Sequence, residues 1–231
     1  MQQQKENLRA HSLEEDKMAE EYVILVDEND NPVGLEEKVK CHLPNGKLHR
    51  AFTALLFDRQ GKLLLTRRSP SKMLWPGDWD GTVASHPRES ETYVSSAERR
   101  MPEEVGIPCK RDYLFKFEYH VPYKDVGSEN EICGTVMGIV DAGSKFKLVP
   151  DEISEMKWIS ADNLLGEIQN NPKIYCPWML LALYLLPKSQ PQMLEKHKEI
   201  LKEWLNPEIQ KSLKESINFH LPDDKWRLLN E

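Results

Sequence analysis

The chain has 231 residues, 39% of them hydrophobic, and carries 31 basic against 38 acidic side chains for a formal net charge of −7. That length and apolar share predict one core-forming domain with extensions, and the acidic balance argues against nucleic acid as the main partner while leaving room for a local cationic pocket. No run of about 20 apolar residues offers a membrane span, and the polar stretch from Met1 to Ala19 has no signal-peptide pattern.

Residues 1–20 read as a mobile leader. Tyr22 to Val26 is a strand candidate, turned at Asp30, Asn31 and Pro32 and continued through Val33 and Gly34. Leu48 to Phe57 alternates as a strand: His49, Ala51, Thr53 and Leu55 share one face, and Arg50, Phe52, Ala54 and Leu56 the other. A turn at residues 58–61 leads into Lys62–Thr66 as a hairpin, and Arg67, Arg68, Ser71 and Lys72 follow as a basic loop. Tyr113 to Val121, Glu129 to Val140 and Met156 to Ile159 are further strands. Ser160 caps a helix through about Ile168, and Pro177 stands at the first position of a helix running to Leu186. Leu194, His197, Leu201, Trp204 and Leu205 recur at three and four, which predicts one amphipathic helix. Strands and helices without regular alternation predict α+β: a mixed sheet packed between helices. The expected division is a leader at 1–20, a domain at 21–187 and an added helical C-terminal segment at 188–231.

Four cysteines stand far apart, with no C-x-x-C pair, which fits free thiols in a cytoplasmic protein.

The most chemically loaded stretch runs from Trp75 to Ile107. Pro76, Gly77 and Gly81 mark a loop, Ser90 or Thr92 can cap a helix, and Gly106 stands where a helix-ending glycine belongs. Pro102 inside that helix removes a hydrogen bond and should kink its last turn. Glu103 and Glu104 follow Arg99 and Arg100 by one turn. Carboxylate oxygens hold hard cations and guanidinium groups neutralise phosphate, so the helix suits a metal–diphosphate site. Glu129 and Glu131, two apart on a strand, point into the same space. With His42, His49 and His86 they offer the donor types that suit manganese, iron, zinc or a magnesium-type ion.

The helix resembles the Nudix box, G-x5-E-x7-R-E-U-x-E-E-x-G-U, with Glu91, Arg99, Glu103, Glu104 and Gly106 in register. Ser85 stands for its first glycine and Arg100 for a metal-binding glutamate. A longer likeness covers roughly residues 20–186. It comprises His42 and His49 seven apart, Thr66-Arg67-Arg68, Ser71-Lys72, Trp75-Pro76-Gly77-Asp78-Trp79, Ser85-His86-Pro87, Glu104-Val105-Gly106, Glu129-Asn130-Glu131 and Pro177-Trp178-Met179. It resembles the type I isopentenyl-diphosphate isomerases, enzymes of isoprenoid synthesis on a Nudix fold.

That resemblance implies the following roles. His42, His49, His86, Glu129 and Glu131 would hold one divalent ion (Mn2+, Mg2+ or Zn2+). Glu104 would hold a Mg2+ that travels with the diphosphate of a small organic substrate. Lys38, Arg68, Lys72 and Arg100 would contact diphosphate oxygens, and Trp178 would face a carbocation-like intermediate. Glu131, with Tyr119 beside it, would be one of two acid–base groups on opposite sides of the substrate. The other in the family is a cysteine, and its position here is Ala84, whose methyl group transfers no proton. Two readings of Ala84 stand at this point: a change that traps a substrate complex, or a natural residue in a protein that treats a prenyl-type diphosphate differently. The second leaves open a Nudix-type hydrolase that keeps Glu103 beside Glu104, or a non-catalytic diphosphate-binding protein.

Overall fold

The computed structural model describes residues 22–229, so the leader expected at 1–20 lies outside the described residues. The strands in order are β1 (Tyr22–Val26), β2 (Pro32–Glu37), β3 (His49–Phe57), β4 (Leu63–Arg68), β5 (Trp79–Asp80), β6 (Val83–Ser85), β7 (Arg111–Tyr123), β8 (Gly127–Ile139), β9 (Ile153–Ile159) and β10 (Trp226–Leu229). The helices are α1 (Lys38–His42), α2 (Tyr93–Glu104), α3 (Ala161–Asn170), α4 (Pro177–Leu185), α5 (Pro191–Lys196), α6 (Lys198–Leu201) and α7 (Pro207–His220).

β3 is the central strand. It runs parallel to β8, with His49 opposite Glu131, Ala51 opposite Cys133 and Thr53 opposite Thr135. It is antiparallel to β6, where Thr53 meets Ala84 and Phe52 meets Ser85. β7 completes a long antiparallel pair with β8 that sets Tyr119 opposite Glu131. The order across the main path is β10-β7-β8-β3-β1-β2, with β4, β5, β6 and β9 branching from it. Both faces of β3 are covered, which explains why it reads as nearly continuous apolar sequence. Phe52, Ala54 and Leu56 pack with Ala97 and Met101 of α2. Ala51, Leu55 and Phe57 pack on the other side with α4, in which Tyr184 alone is not buried. Burying each large side chain of α4 contributes roughly 1.5–3 kcal/mol, so this helix is a fixed wall rather than a mobile cover.

α2 is tightly specified at both ends. Thr92 accepts from the Ser95 amide at 3.1 Å and Ser95 accepts in return from the Thr92 amide at 2.9 Å, a reciprocal capping box. Gly106, at φ +79°, ends the helix and donates its amide to Met101. The helix continues through Pro102 to Glu104. Its first turn lies directly on β8: a Cβ on Gly134 would come within 2.4 Å of the Tyr93 ring.

Three expectations change. Arg67 and Arg68 end β4 instead of opening a loop, because they pair with β5 and β9. The expected helix through 194–205 breaks at His197 into α5 and α6. There the imidazole Nε2 lies 2.8 Å from Asp112 of β7, a tertiary contact that outweighs the helical periodicity. The C-terminal segment is helical through His220, as its pattern suggests, but then adds β10 to the open edge of β7.

Candidate active site

One cavity of about 320 Å³ opens between α1, β6, β8, α4 and the loop after β4. Its wall includes Lys38, Arg68, Lys72, Arg100, His42, His86, Ala84, Tyr119, Glu129, Glu131 and Trp178. One end is cationic and the other is aromatic and apolar, the division an alkyl diphosphate needs.

At the base three imidazoles and a carboxylate converge. Ligand atoms of His42, His49, His86 and Glu131 all lie within 4.8 Å of one another, the one such group among the described residues. His42 comes from the end of α1, His49 from the start of β3, His86 from just beyond β6 and Glu131 from β8. The ring nitrogens on the outer side are engaged: His42 Nδ1 lies 2.6 Å from the Lys38 carbonyl and His49 Nδ1 lies 2.8 Å from the Lys47 carbonyl. A carbonyl only accepts, so Nδ1 of each ring is the protonated nitrogen and Nε2 points inward. His49 Nε2 stands 3.2 Å from His86 Nε2 and 3.4 Å from Glu131 Oε1. Glu129 lies outside the four-residue group, but its Oε2 is 3.0 Å from His42 Nε2. The angle there is not that of a hydrogen bond, and this oxygen is buried without a hydrogen-bond partner.

Inward nitrogen lone pairs, two carboxylates and an orphaned buried oxygen fit a divalent cation. The electrostatics agree. Burial works against charging His49, but hydrogen bonding to Cys41 and Glu131 outweighs it and holds the pKa well above the ordinary value. Burial, then the charge on His49, pushes His86 well below it. An ion competes with protons for the inward nitrogens, so metal affinity should rise with pH and uptake should release protons. Calorimetry in buffers of different ionisation enthalpy measures this. His49→Ala should lower the metal content sharply by elemental analysis; undiminished content would refute the assignment.

Tyr119 donates to Glu131 Oε2 at 2.5 Å, so Oε1 faces the imidazoles while Oε2 is fixed by the phenol. Burial, helped by the Glu131 charge, holds the Tyr119 pKa well above its usual range, and the phenol remains a donor. Trp178 lies beyond, its ring centroid 6.3 Å from that of Tyr119.

The cationic end is organised by a carboxylate that sequence inspection missed. Glu152 pairs with Lys72 and accepts from Arg100 at 3.2 Å. It sits in a plain charged turn, 80 residues from Lys72, and no local pattern marks it. Arg100 also bonds Glu103 at 3.1 Å and Glu104 at 2.8 Å. The structure does not bring Glu104 to the histidine group. Its carboxylate is buried against Arg100, and burial, partly offset by that arginine, pushes its pKa up to about 7. Arg68 donates to the Leu74 and Trp75 carbonyls at 2.9 and 3.1 Å, so from the end of β4 it also ties the loop that follows.

Residues 47–179 match the NUDIX domain family model. A relative from Photorhabdus laumondii named isopentenyl-diphosphate Delta-isomerase 1 is 38% identical over 160 residues, spanning 68% of this chain and 90% of that protein. The chain belongs to the isopentenyl-diphosphate isomerase family. Haloarchaeal proteins of the same name agree: that from Haloarcula marismortui is 37% identical over 71% of this chain and 90% of its own length. The Halobacterium salinarum protein is 38% identical over 73% and 83%. In structure, the crystal structure of DR0079 from Deinococcus radiodurans matches with a TM-score of 0.58 and 25% identity over 70% of this chain and 97% of that one. Nudix enzymes use divalent metals, and this family member carries a group suited to one. No helix among the described residues is long and apolar enough to cross a membrane. None of the four cysteines is in a disulfide.

Proposed function

We propose that this protein interconverts isopentenyl and dimethylallyl diphosphate, with one side of its proton-transfer machinery reduced by Ala84. The observation that carries the reading is Glu131. One of its oxygens faces three imidazoles and the other takes a phenol hydrogen bond, under an aromatic wall and beside a cationic rim. A hydrolase needs carboxylates that present water to phosphorus. Here Glu104 is held against Arg100 and does not line the cavity. That removes a carboxylate that the hydrolase reading depends on for its chemistry and that the isomerase reading uses only to hold Mg2+, Glu131 carrying the proton transfer there.

A divalent ion bound by His42, His49, His86, Glu129 and Glu131 would supply a fixed positive charge that keeps the Glu131 carboxylate ionised; Mg2+ accompanying the diphosphate would screen its charge. Lys38, Lys72, Arg68 and Arg100 hold the diphosphate at the mouth. The five-carbon chain then lies inward against Trp178. Glu131 exchanges a proton with the hydrocarbon, and Tyr119 steadies the oxygen not engaged by the imidazoles. On the opposite side Ala84 presents a methyl group, so proton delivery there falls to solvent and is slow. Trp178 favours the positive charge that develops between the two proton transfers.

Incubation with isopentenyl diphosphate and Mg2+, followed by product analysis, tests the reading. Dimethylallyl diphosphate without phosphate release supports it; phosphate or monophosphate would point to hydrolysis, and binding with neither product to a non-catalytic role. The rim is tested separately. Lys72 touches the cavity and pairs with Glu152 without tethering the loop as Arg68 does. Lys72→Ala should weaken binding of inorganic diphosphate about 10-fold or more while leaving metal content unchanged, as loss of one charge-assisted contact predicts. Equal affinity by calorimetry would remove Lys72 from the rim.

A further inference from the structure

The step from β5 to β6 carries a buried carboxylate to which no role has yet been attached. Asp80 is 3% exposed and does not line the cavity, yet it touches two residues that do. Its Oδ1 accepts from the Trp178 indole N–H at 2.8 Å and from the Gly81 amide at 2.7 Å. Its Oδ2 stands 3.4 Å from Arg68. Arg68 in turn holds its guanidinium 5.3 Å from the centroid of the Trp178 ring. These three side chains form a closed triangle: cation, carboxylate and aromatic ring.

Each side of the triangle has a consequence for Trp178. A guanidinium near the ring draws on the same π density that a second cation would use. Placed alone, Arg68 would therefore weaken the attraction of Trp178 for positive charge in the substrate. Asp80 counters this in two ways. Its charge offsets the guanidinium, and its charge-assisted hydrogen bond pushes electron density from the N–H into the ring. It also fixes the ring plane, since Trp75 packs edge-on at 5.1 Å and leaves the N–H as the polar handle. Burial, partly offset by Arg68, pushes the Asp80 carboxyl up to about 6, so it is ionised at neutral and higher pH. Burial holds the nearby Cys133 and Cys176 thiols well above their usual range, so they are neutral. Glu129 and Asp78 also act on Arg68 through space, and among the carboxylates Asp80 alone bonds both Arg68 and the indole.

We propose that Asp80 is a positioning residue that tunes Trp178 to hold positive charge in the hydrocarbon part of an organic diphosphate, by bonding the indole and neutralising Arg68. The inference rests on the isomerase reading of the cavity. It predicts a selectivity that a merely structural carboxylate would not produce: Asp80 should matter for a cationic alkyl chain and not for the diphosphate group.

The test compares two probes by calorimetry at pH 8 with Mg2+: inorganic diphosphate, and an ethyl diphosphate ending in a protonated dimethylamino group, whose nitrogen stands where the carbocation would develop. Asp80→Asn keeps size and an acceptor for the indole but removes the charge. It should weaken the ammonium probe about 10-fold and inorganic diphosphate by no more than about 3-fold. Trp178→Phe lacks the indole N–H but keeps a ring beside Arg68, so adding Asp80→Asn to it should cost the ammonium probe less than the same change costs the parent, the remainder being the uncompensated Arg68. Equal losses on both probes from Asp80→Asn, no loss on either, or an undiminished effect in the Trp178→Phe background would overturn the role of Asp80. Trp178→Phe on its own should also weaken the ammonium probe, which keeps the proposal exposed if Asp80→Asn fails to fold; no loss there would refute it. A parent protein that prefers inorganic diphosphate over the ammonium probe would overturn the isomerase reading and this inference with it.

Discussion

Ala84→Cys raises the rate of isopentenyl diphosphate isomerisation by about 10² or more, the lower end of what one acid–base group contributes. The position is built for it. Ala84 lies opposite Thr53 on β3, whose own face, with Ala51 and Leu55, packs against α4. It is half-buried on the cavity wall, where there is space for a side chain one atom longer. Replacing a methyl hydrogen by a thiol adds little volume, so overpacking should be small. Ser85 also borders the cavity, but as the strand neighbour of Ala84, in register with Phe52 rather than Thr53, its side chain diverges from that of Ala84 and is a poor substitute. Dimethylallyl diphosphate formation is the readout, with solvent-deuterium incorporation as a second. A variant that binds metal and substrate normally but shows no gain would sink the isomerase reading.

The reverse substitution in effect is Glu131→Gln. Glutamine keeps the length and can still accept from Tyr119, but it cannot exchange a proton and is a poor cation ligand. Turnover should fall by about 10³–10⁴, the upper range for an acid–base group, because the same carboxylate serves two purposes. The measurement must separate them: elemental analysis for metal content beside turnover at saturating metal. If added metal restored full turnover, Glu131 would be a ligand only. A loss that persists with metal restored assigns it the proton.

The parts legible in the sequence were those with local physics. The alternation of β3 gave its two faces, and the two cap candidates, Ser90 and Thr92, with Gly106 bounded α2, of which Thr92 is the cap in the structure. His42 and His49 could be paired through the seven-residue spacing of the family likeness, and Glu129 and Glu131 because strand geometry puts them on one side. Glu152 and Asp80 were illegible for the opposite reason. Each acts through partners far away in sequence: Glu152 through Lys72 and Arg100, Asp80 through Trp178, which lies 98 residues on. In sequence both look like ordinary turn residues. The break at His197 and the pairing of β10 with β7 likewise depend on what the sheet presents, Asp112 in one case and an open edge in the other.

The four converging ligands have a kinetic meaning as well. His49 and Glu131, 82 positions apart in the chain, meet only after β3 and β8 have paired in parallel. Such long-range pairing forms late, since loop closure must precede any gain from contacts. A cation held by that group therefore adds nothing to the early steps of folding. It would act on the finished molecule, slowing the separation of β3 from β8 and so lengthening the life of the native state. Stripping the ion would show first as faster unfolding, with refolding rates nearly unchanged.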